Sequence, residues 1–364
     1  MVKPNPHPSP IKNSVEPRRG TDKPRPHSKL GQAYASLNTV LKKHLWRSAD
    51  GRKVISNATI ADRSEFYSRF LRELHALGYR LLDIHQIKPK HIEAVMKHWE
   101  AAGQSASTLQ KKFSYLKILC GWLGKHSLLR PPATYLDDPT RLMRFYSADH
   151  DHSWTAQGID PLEEIALIAA DDPDVARVLR LQYAFGLRLQ EASLLNPARD
   201  VLEPDTLRVV AGTKGGRPRN VPIETEEQRA ILADAQRQAQ STGRSLIPLH
   251  YDLKQWLTRC YTVLTRNGVT RKHGLVSHGL RHQYANDRYE EQTGEPSPVR
   301  GRIPMDTAAD QSARLDIAER LGHARPQITH AYYGSASSTA SGLNAEERRH
   351  QARELGVQKR LLAA

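Results

Sequence analysis

Residues 278–282 read His-Gly-Leu-Arg-His and begin a segment that we predict to be helical. In a helix, His278, Arg281 and His282 stand at i, i+3 and i+4, so their side chains share one face. Histidines at this spacing also bind zinc in peptidases, but that chemistry needs a glutamate beside the first histidine, where this chain has Gly279. A guanidinium between two imidazoles would also repel a cation. The stretch therefore favours a phosphate over a metal ion.

The sequence on either side of this stretch also has polar residues at positions that are unusual for them, next to an apolar run or at a predicted helix end. Upstream, Arg188 ends an apolar run that contains a glycine. An arginine there is expected to be partly buried and to need an anion, which Glu191, one helical turn later, can supply. Alone, this pattern is more typical of a structural ion pair than of a site. Downstream, Leu321-Gly322-His323 is predicted to end a helix at its glycine, and Tyr332 follows the histidine by nine positions.

Between these motifs, a glycine-rich stretch carries Lys214 and is flanked by two strand-like runs, residues 207–210 and 220–223. We predict that the two runs form a β-hairpin and that Lys214 lies in its loop. The glycines lack the spacing of a phosphate-binding P-loop, so the loop does not indicate a nucleotide site.

The order of these motifs is more specific than any one of them. Along the chain they follow one another as Arg188, Lys214, His278-x-x-Arg281, Leu321-Gly322-His323 and Tyr332. This order resembles the active-site signature of the tyrosine recombinase (phage integrase) family over about residues 180–334, and more loosely over the region before it. The resemblance implies a mainly α fold, in which a four-helix, SAM-like core-binding domain precedes a mostly α catalytic domain with a small antiparallel β-hairpin or sheet.

The resemblance also implies a site-specific recombinase or integrase that cuts and rejoins DNA. Tyr332 would be the nucleophile that forms a 3′-phosphotyrosyl link. Arg188 and Arg281 would grip the phosphate oxygens, and Lys214 would protonate the leaving 5′-oxygen. One phosphate ester replaces another in this scheme, so neither a metal ion, nor ATP, nor any other cofactor is expected.

Four further residues take part in the same scheme, two of them histidines with catalytic roles and two with supporting roles. His278 would accept a proton or donate a hydrogen bond to phosphate, and His323 would donate a hydrogen bond to a phosphate oxygen. Glu191 would orient the first arginine, and His282 would support the helix that it lies on.

For two of these roles, the nucleophile and the lysine, the sequence offers more than one residue. Tyr333 is adjacent to Tyr332, which we prefer for its family-like distance from the preceding histidine. Lys214 is preferred over Lys254 and Lys272 because it lies on the predicted hairpin.

One spacing departs from the family. The 42 positions between Arg281 and His323 are more than the family usually has. The excess falls at Glu290–Asp310, a stretch with several prolines and glycines that we predict to be an inserted loop. Either Arg300 and Arg302 in this loop reach DNA, or the loop is a neutral surface insertion.

Composition divides the chain into five parts. Residues 1–30 are predicted to be a disordered, basic, proline-rich arm. Residues 31–130 form the helical DNA-binding (core-binding) domain, residues 131–156 a linker, and residues 157–340 the catalytic domain. Residues 341–364 contain a C-terminal helix that either docks on a neighbouring protomer, as the resemblance implies, or folds back on its own domain.

The overall charge fits a nucleic-acid partner. Lys and Arg number 54 against 39 Asp and Glu, which leaves +15 at pH 7. So basic a chain attracts polyanions, and double-stranded DNA recombination sites are the expected partner. Two cysteines, Cys120 and Cys260, can make neither a disulfide scaffold nor a four-thiolate zinc site. The run His150-Asp151-His152 has no further ligands at metal-binding spacing, so we do not interpret it as a metal site.

Location and assembly follow from the same observations. No apolar run approaches the roughly 20 residues of a membrane span, and the N-terminus has no signal-peptide core, so we expect a cytoplasmic, nucleoid-associated protein without a membrane partner. The resemblance implies a homotetramer on two DNA duplexes, with accessory DNA-bending or directionality proteins as further possible partners. The proline-rich arm and the inserted loop favour the integrase of a mobile genetic element.

Two alternatives of other classes stay open. A type IB topoisomerase would use similar chemistry to relax DNA. A non-catalytic DNA-binding regulator would keep the basic surface, although every catalytic position here holds a competent residue type.

Overall fold

The computed structural model describes residues 26–202, 205–242, 244–301, 306–323, 325–334, 347–351 and 353–355. Most of the predicted N-terminal arm lies outside the described residues. Of the predicted C-terminal helix, residues 347–351 and 353–355 are described, and they are helical. The chain divides into two compact units, Met1–Arg144 and Phe145–Ala364.

The first unit contains the four predicted helices. They are α1 (Lys29–His44), α2 (Asn57–Ala76), α3 (Pro89–Ala101) and α4 (Ala106–Trp122). The side chains of Ser28, Ser56 and Ser105 cap α1, α2 and α4 by accepting a hydrogen bond from a main-chain N–H in the first turn. Apolar residues from all four helices are fully buried, Phe70 and Trp99 among them, so this unit has a core of its own.

Residues 131–156, predicted as a linker, pack into cores at both of their ends. Two short 3-10 helices, Pro132–Tyr135 and Pro139–Leu142, follow α4, and Tyr135 is buried in the core of the first unit. Trp154 is buried in the core of the second unit and donates a hydrogen bond from Nε1 to the carbonyl of Val276, 2.9 Å away. The prolines that indicated a linker begin short helices instead.

The second unit is mostly helical, with one small sheet. Its helices are α5 (Pro161–Asp171), α6 (Pro173–Phe185), α7 (Leu189–Leu194), α8 (Pro197–Asp200), α9 (Glu226–Thr242), α10 (Leu253–Arg266), α11 (His278–Thr293), α12 (Thr307–Arg320) and α13 (His330–Tyr333). The strands are β1 (Val201–Leu202), β2 (Thr206–Val209) and β3 (Arg219–Pro222), antiparallel in the order β1-β2-β3. The predicted hairpin is thus present as β2 and β3, and β1 extends it.

The turn after α6 brings three elements of this unit together. Gly186 ends α6 with a φ of +60°, in the left-handed region that favours glycine. A Cβ at this position would meet the side chains of Tyr284 on α11 and Leu321 after α12 at 2.5 and 2.8 Å. This close approach places Arg188 next to both of those helices.

The predicted inserted loop is shorter than expected. α11 continues to Thr293, a short 3-10 helix covers Pro298–Arg300, and α12 begins at Thr307. Arg300 donates hydrogen bonds to the carboxylates of Asp151, Asp287 and Glu290 at 3.1, 2.7 and 3.1 Å. The side chain of Arg300 therefore binds the protein's own carboxylates, which for this arginine favours the second alternative, a surface insertion. Arg302 lies outside the described residues.

Among the described residues, no helix combines the length and the apolar character needed to cross a bilayer.

Candidate active site

Tyr332 lies on α13 with its phenol between a guanidinium and an imidazole. Its Oη accepts a hydrogen bond from Arg281 Nε at 3.0 Å and lies 3.2 Å from His323 Nε2. Only 5% of the residue is exposed. Tyr333 instead packs against Tyr289 and under the guanidinium of Arg314. Of the two adjacent tyrosines, only Tyr332 lies among the predicted site residues.

Arg281 is fully buried at the centre of this arrangement. Besides the phenol, it donates to the main-chain carbonyls of Gly186 and Leu321, and its Nη2 lies 3.3 Å from His323 Nε2. Burial lowers the pKa of Arg281 to about 10, so the side chain stays charged at neutral pH. One buried cation thus links the turn after α6, the end of α12 and the phenol.

Arg188 and Glu191 form the pair that their spacing predicts. Arg188 precedes α7, and both its main-chain N–H (2.9 Å) and its Nη1 (2.6 Å) donate to the carboxylate of Glu191. The Glu191 side chain is fully buried, whereas 22% of the Arg188 side chain is exposed. Arg188 can therefore bind this carboxylate and still present part of its guanidinium to solvent.

Arg219 on β3 is the residue of this site that sequence reasoning missed. Its Nη1 and Nη2 donate to the two carboxylate oxygens of Glu191 at 3.0 and 2.8 Å, and its Nε donates to the carbonyl of Arg320 at 2.6 Å. Burial alone would raise the pKa of Glu191, but the hydrogen bonds and charges of Arg219 and then Arg188 lower it to about 2. The signal available was that Arg219 directly precedes the predicted strand run 220–223 and lies two positions before Val221, hence on the same inward face if the strand begins one residue earlier, as it does.

Three predicted histidines surround the phenol. The ring centroids of His282, His323 and His278 lie 4.8, 5.5 and 5.9 Å from that of Tyr332. His282 is buried, and its Nδ1 has no hydrogen-bond partner among the described residues. His278 is exposed, although the protein around it and then the guanidinium of Arg281 lower its pKa.

His323 is the imidazole best placed to take the phenol's proton. Burial lowers its pKa to about 3, helped by the charges of Arg281 and Arg188, so it is neutral at physiological pH. Arg281 has only donors, and its Nη2 points at Nε2, so this nitrogen must be an acceptor. The Oη of Tyr332 already accepts from Arg281, which leaves its hydrogen available for Nε2 of His323.

Unlike the other predicted site residues, Lys214 makes neither a hydrogen bond nor a ring contact with any of them in the part of the chain that the structure describes. It is exposed in the loop between β2 and β3, close enough for its charge to lower the pKa of His323. A groove lined by Arg208, Arg217 and Asn220 also has His323 in its lining.

The run His150-Asp151-His152, which the sequence did not favour as a metal site, lies beside this cluster. The ring centroid of His152 is 5.1 Å from that of His282, and Asp151 binds Arg300. Within the described residues, no group of three or more His, Cys, Asp or Glu side chains is arranged to hold a metal ion.

The comparisons with known proteins agree with this fold. Residues 38–129 match the family model for the N-terminal domain of phage integrases, and residues 158–287 match the integrase model. The two units and the cluster of arginines, histidines and tyrosine define a tyrosine recombinase. The chain belongs to the phage integrase family. The integrase match ends before His323 and Tyr332, which the structure itself places in the cluster.

Individual relatives are distant. The chain is 28% identical over 273 residues to tyrosine recombinase XerC of Mesorhizobium japonicum, an overlap of 69% of this chain and 76% of that protein. The structure of the Tn1549 transposon integrase in complex with circular intermediate DNA is similar in fold, with a TM-score of 0.52 and 14% identity over 85% of this chain and 99% of that one. A lambda integrase dimer bound to a COC′ core site gives a TM-score of 0.50 and 14% identity, over 83% and 77%.

Proposed function

We propose that this protein is a site-specific DNA recombinase that cleaves and rejoins DNA through a covalent bond between Tyr332 and a 3′-phosphate. The observation that carries the proposal is the position of the phenol, whose oxygen is held by a buried arginine and lies within hydrogen-bond distance of a neutral imidazole. That arrangement holds a nucleophile, its proton acceptor and a cation within one hydrogen-bonded group.

The chemistry balances with the residues present. As the oxygen of Tyr332 forms its bond to phosphorus, the bond from phosphorus to the 5′-oxygen breaks. The phenol's proton passes to His323 Nε2, and Lys214 supplies a proton to the leaving 5′-oxygen. A second strand's 5′-hydroxyl reverses the step and rejoins the DNA. The contact with the phenol supports His323 as the proton acceptor, which was one of the two roles that the sequence left open for His278, and His278 takes the other role, a hydrogen bond to a phosphate oxygen.

The two arginines divide the stabilisation of charge. Arg188 is partly exposed and offers the phosphate the donors that Glu191 does not take. Arg281 is buried and holds the nucleophile, and its charge acts on the phosphate at short range. Such preorganised donors cost no reorganisation when charge builds on the phosphorus oxygens.

The partner in this proposal is double-stranded DNA. The Tn1549 integrase structure is a complex with circular intermediate DNA, the lambda integrase dimer is bound to a core site, and XerC is named a tyrosine recombinase. The net charge of +15 supports the same partner. Assembly as a tetramer on two duplexes, and the role of a mobile-element integrase, belong to this proposal.

Trapping the covalent intermediate tests the proposal even though the DNA site is not identified. The protein is incubated with a pool of nicked duplexes of randomised sequence, and adducts that survive denaturation are isolated and sequenced. We expect the wild type and Tyr333→Phe to form adducts that share one sequence, and Tyr332→Phe to form none. Adducts from Tyr332→Phe would refute the assignment. Relaxation of supercoiled plasmids without sequence preference would identify a topoisomerase instead.

A further inference from the structure

Arg219 connects two motifs of the site that lie far apart in the sequence. Its Nη1 and Nη2 bind both oxygens of Glu191, which in turn binds Arg188. Its Nε binds the carbonyl of Arg320, the last residue of α12. His323 follows that helix end by three positions. A single buried side chain thus contacts the helix that Arg188 begins and the helix end that presents His323.

The glycine of Leu321-Gly322-His323 leaves room for this side chain. Gly322 has a φ of +68°, and a Cβ there would lie 2.9 Å from Arg219 Cδ and 3.3 Å from its Nη1. The guanidinium therefore passes against the main chain immediately before His323. This contact is independent of the ion pair with Glu191.

We propose that Arg219 is a positioning residue, which holds Glu191 against the end of α12 and thereby fixes Arg188 and His323 around Tyr332. The proposal rests on the proposed function for its consequence in catalysis, but not for the geometry itself. Its physical basis is the sharing of one buried carboxylate. Arg188 Nη1 takes one oxygen of Glu191, Arg219 binds both, and Arg281 Nη1 lies 3.9 Å from the second.

Loss of Arg219 changes both ends of this connection. With both carboxylate oxygens less occupied, Glu191 can bind the guanidinium of Arg188 through two parallel hydrogen bonds, which turns its free donors away from the phosphate. At the other end, the carbonyl of Arg320 loses its partner and the chain at Gly322 loses its support.

Two substitutions of Arg219 distinguish the effect of its hydrogen bonds from the effect of its charge. Arg219→Met keeps most of the side chain's length and removes every donor. Arg219→Lys keeps the charge but cannot bind both oxygens of Glu191 and the carbonyl of Arg320 at once. Arg177→Met is the matched control, because Arg177 is also largely buried and binds two carboxylates, those of Asp174 and Asp234, which do not belong to the site.

The rate of adduct formation and the affinity for DNA are measured on the selected nicked duplex at one salt concentration. We expect Arg219→Met to slow adduct formation by about 10- to 100-fold and to change the dissociation constant by no more than about threefold. Arg219→Lys should recover part of the rate, and Arg177→Met should match the wild type. An Arg219→Met rate within about twofold of the control would overturn the proposal, as would a loss of affinity equal to the loss of rate.

A second measurement does not depend on activity. Titration of the Glu191 carboxyl carbon by NMR, in the DNA-free protein, should show a midpoint higher in both Arg219 variants than in Arg177→Met. An unchanged midpoint overturns the proposal even if adducts form normally. If no variant or wild type forms adducts but the midpoint rises, the geometry holds and the proposed function fails. If Arg219→Met does not fold, Arg219→Lys decides in both measurements.

Discussion

His323 Nε2 receives both a donor of Arg281 and the hydroxyl of Tyr332, which requires a neutral ring. Its pKa, lowered from 6.5 to about 3 by burial and by neighbouring guanidinium groups, keeps the acceptor form present far below neutrality. At subsaturating DNA, where the rate reports the free enzyme, we expect adduct formation to vary less than about twofold between about pH 7 and pH 5. A rate that falls with an apparent pKa near 6.5 would exclude His323 as the acceptor. His323→Ala should lose about 100-fold or more at every pH.

An alanine substitution at Gly322 tests the contact with Arg219, because Gly294 has a similar φ and can serve as the control position. Gly322 and Gly294 both have positive φ, of +68° and +71°, so an alanine at either costs about 1–2 kcal/mol of backbone strain. A Cβ at Gly294 meets nothing within 4 Å, whereas one at Gly322 meets Arg219. We expect both alanines to lower the free energy of unfolding in urea denaturation, Gly322→Ala by more because its Cβ displaces Arg219, and we expect slowed adduct formation for Gly322→Ala alone. Equal activities would show that the contact with Arg219 has no catalytic consequence.

The residues of the site were predictable to different degrees. Arg188 with Glu191, and His278 with Arg281, share a helical turn, so local spacing was enough to pair them. The hydrogen bond between His323 and Tyr332 and the ion pair between Arg219 and Glu191 join separate elements. Only packing shows such contacts, and a strand arginine without a local partner gives a weak signal.

At the level of elements, regular periodicity and capping residues made the longer helices predictable. Serine caps mark three helix starts in the first unit, and the structure confirms all four helices there. β1 has two residues and α7 has six, too few for a period to show. The Glu290–Asp310 stretch was predicted as loop because of its prolines, but Asp306 caps α12 and draws the last residues into the helix.

Arg300 ties three elements together, and its replacement tests whether that is its role. It binds Asp151 before α5 and Asp287 and Glu290 on α11, with 19% of its side chain exposed. Since Arg300→Met leaves three carboxylates without their cation, we expect a loss of about 1–2 kcal/mol in the free energy of unfolding. DNA affinity at fixed salt should not change. An affinity loss with unchanged stability would favour the other alternative, in which this arginine contacts DNA.

For the molecule as a whole, the charge predicts a strong dependence of DNA affinity on salt. A net charge of +15 allows many phosphate contacts at once, and each releases counterions. If about six to ten phosphates are neutralised, the affinity should fall by about 10³- to 10⁵-fold between 50 and 200 mM salt. Fluorescence anisotropy with one labelled duplex measures how the logarithm of the affinity changes with the logarithm of the salt concentration. The control is Arg300→Met, for which we expect the same slope. A slope near zero would contradict binding through the phosphate backbone.

The two units have separate cores, so the first should fold without the second. Residues from α1 to α4 and the 3-10 helix at Tyr135 bury Phe70, Trp99 and Leu116 within the unit Met1–Arg144. A fragment of residues 26–144 therefore contains every apolar contact of that core, and its size suits cooperative two-state unfolding. We expect the fragment to show a single urea transition, the same by circular dichroism and by tryptophan fluorescence. Non-coincident transitions, or a fragment without native helicity, would mean that the second unit supplies part of the stability. In that case, the proposed limit between the two domains would have to move.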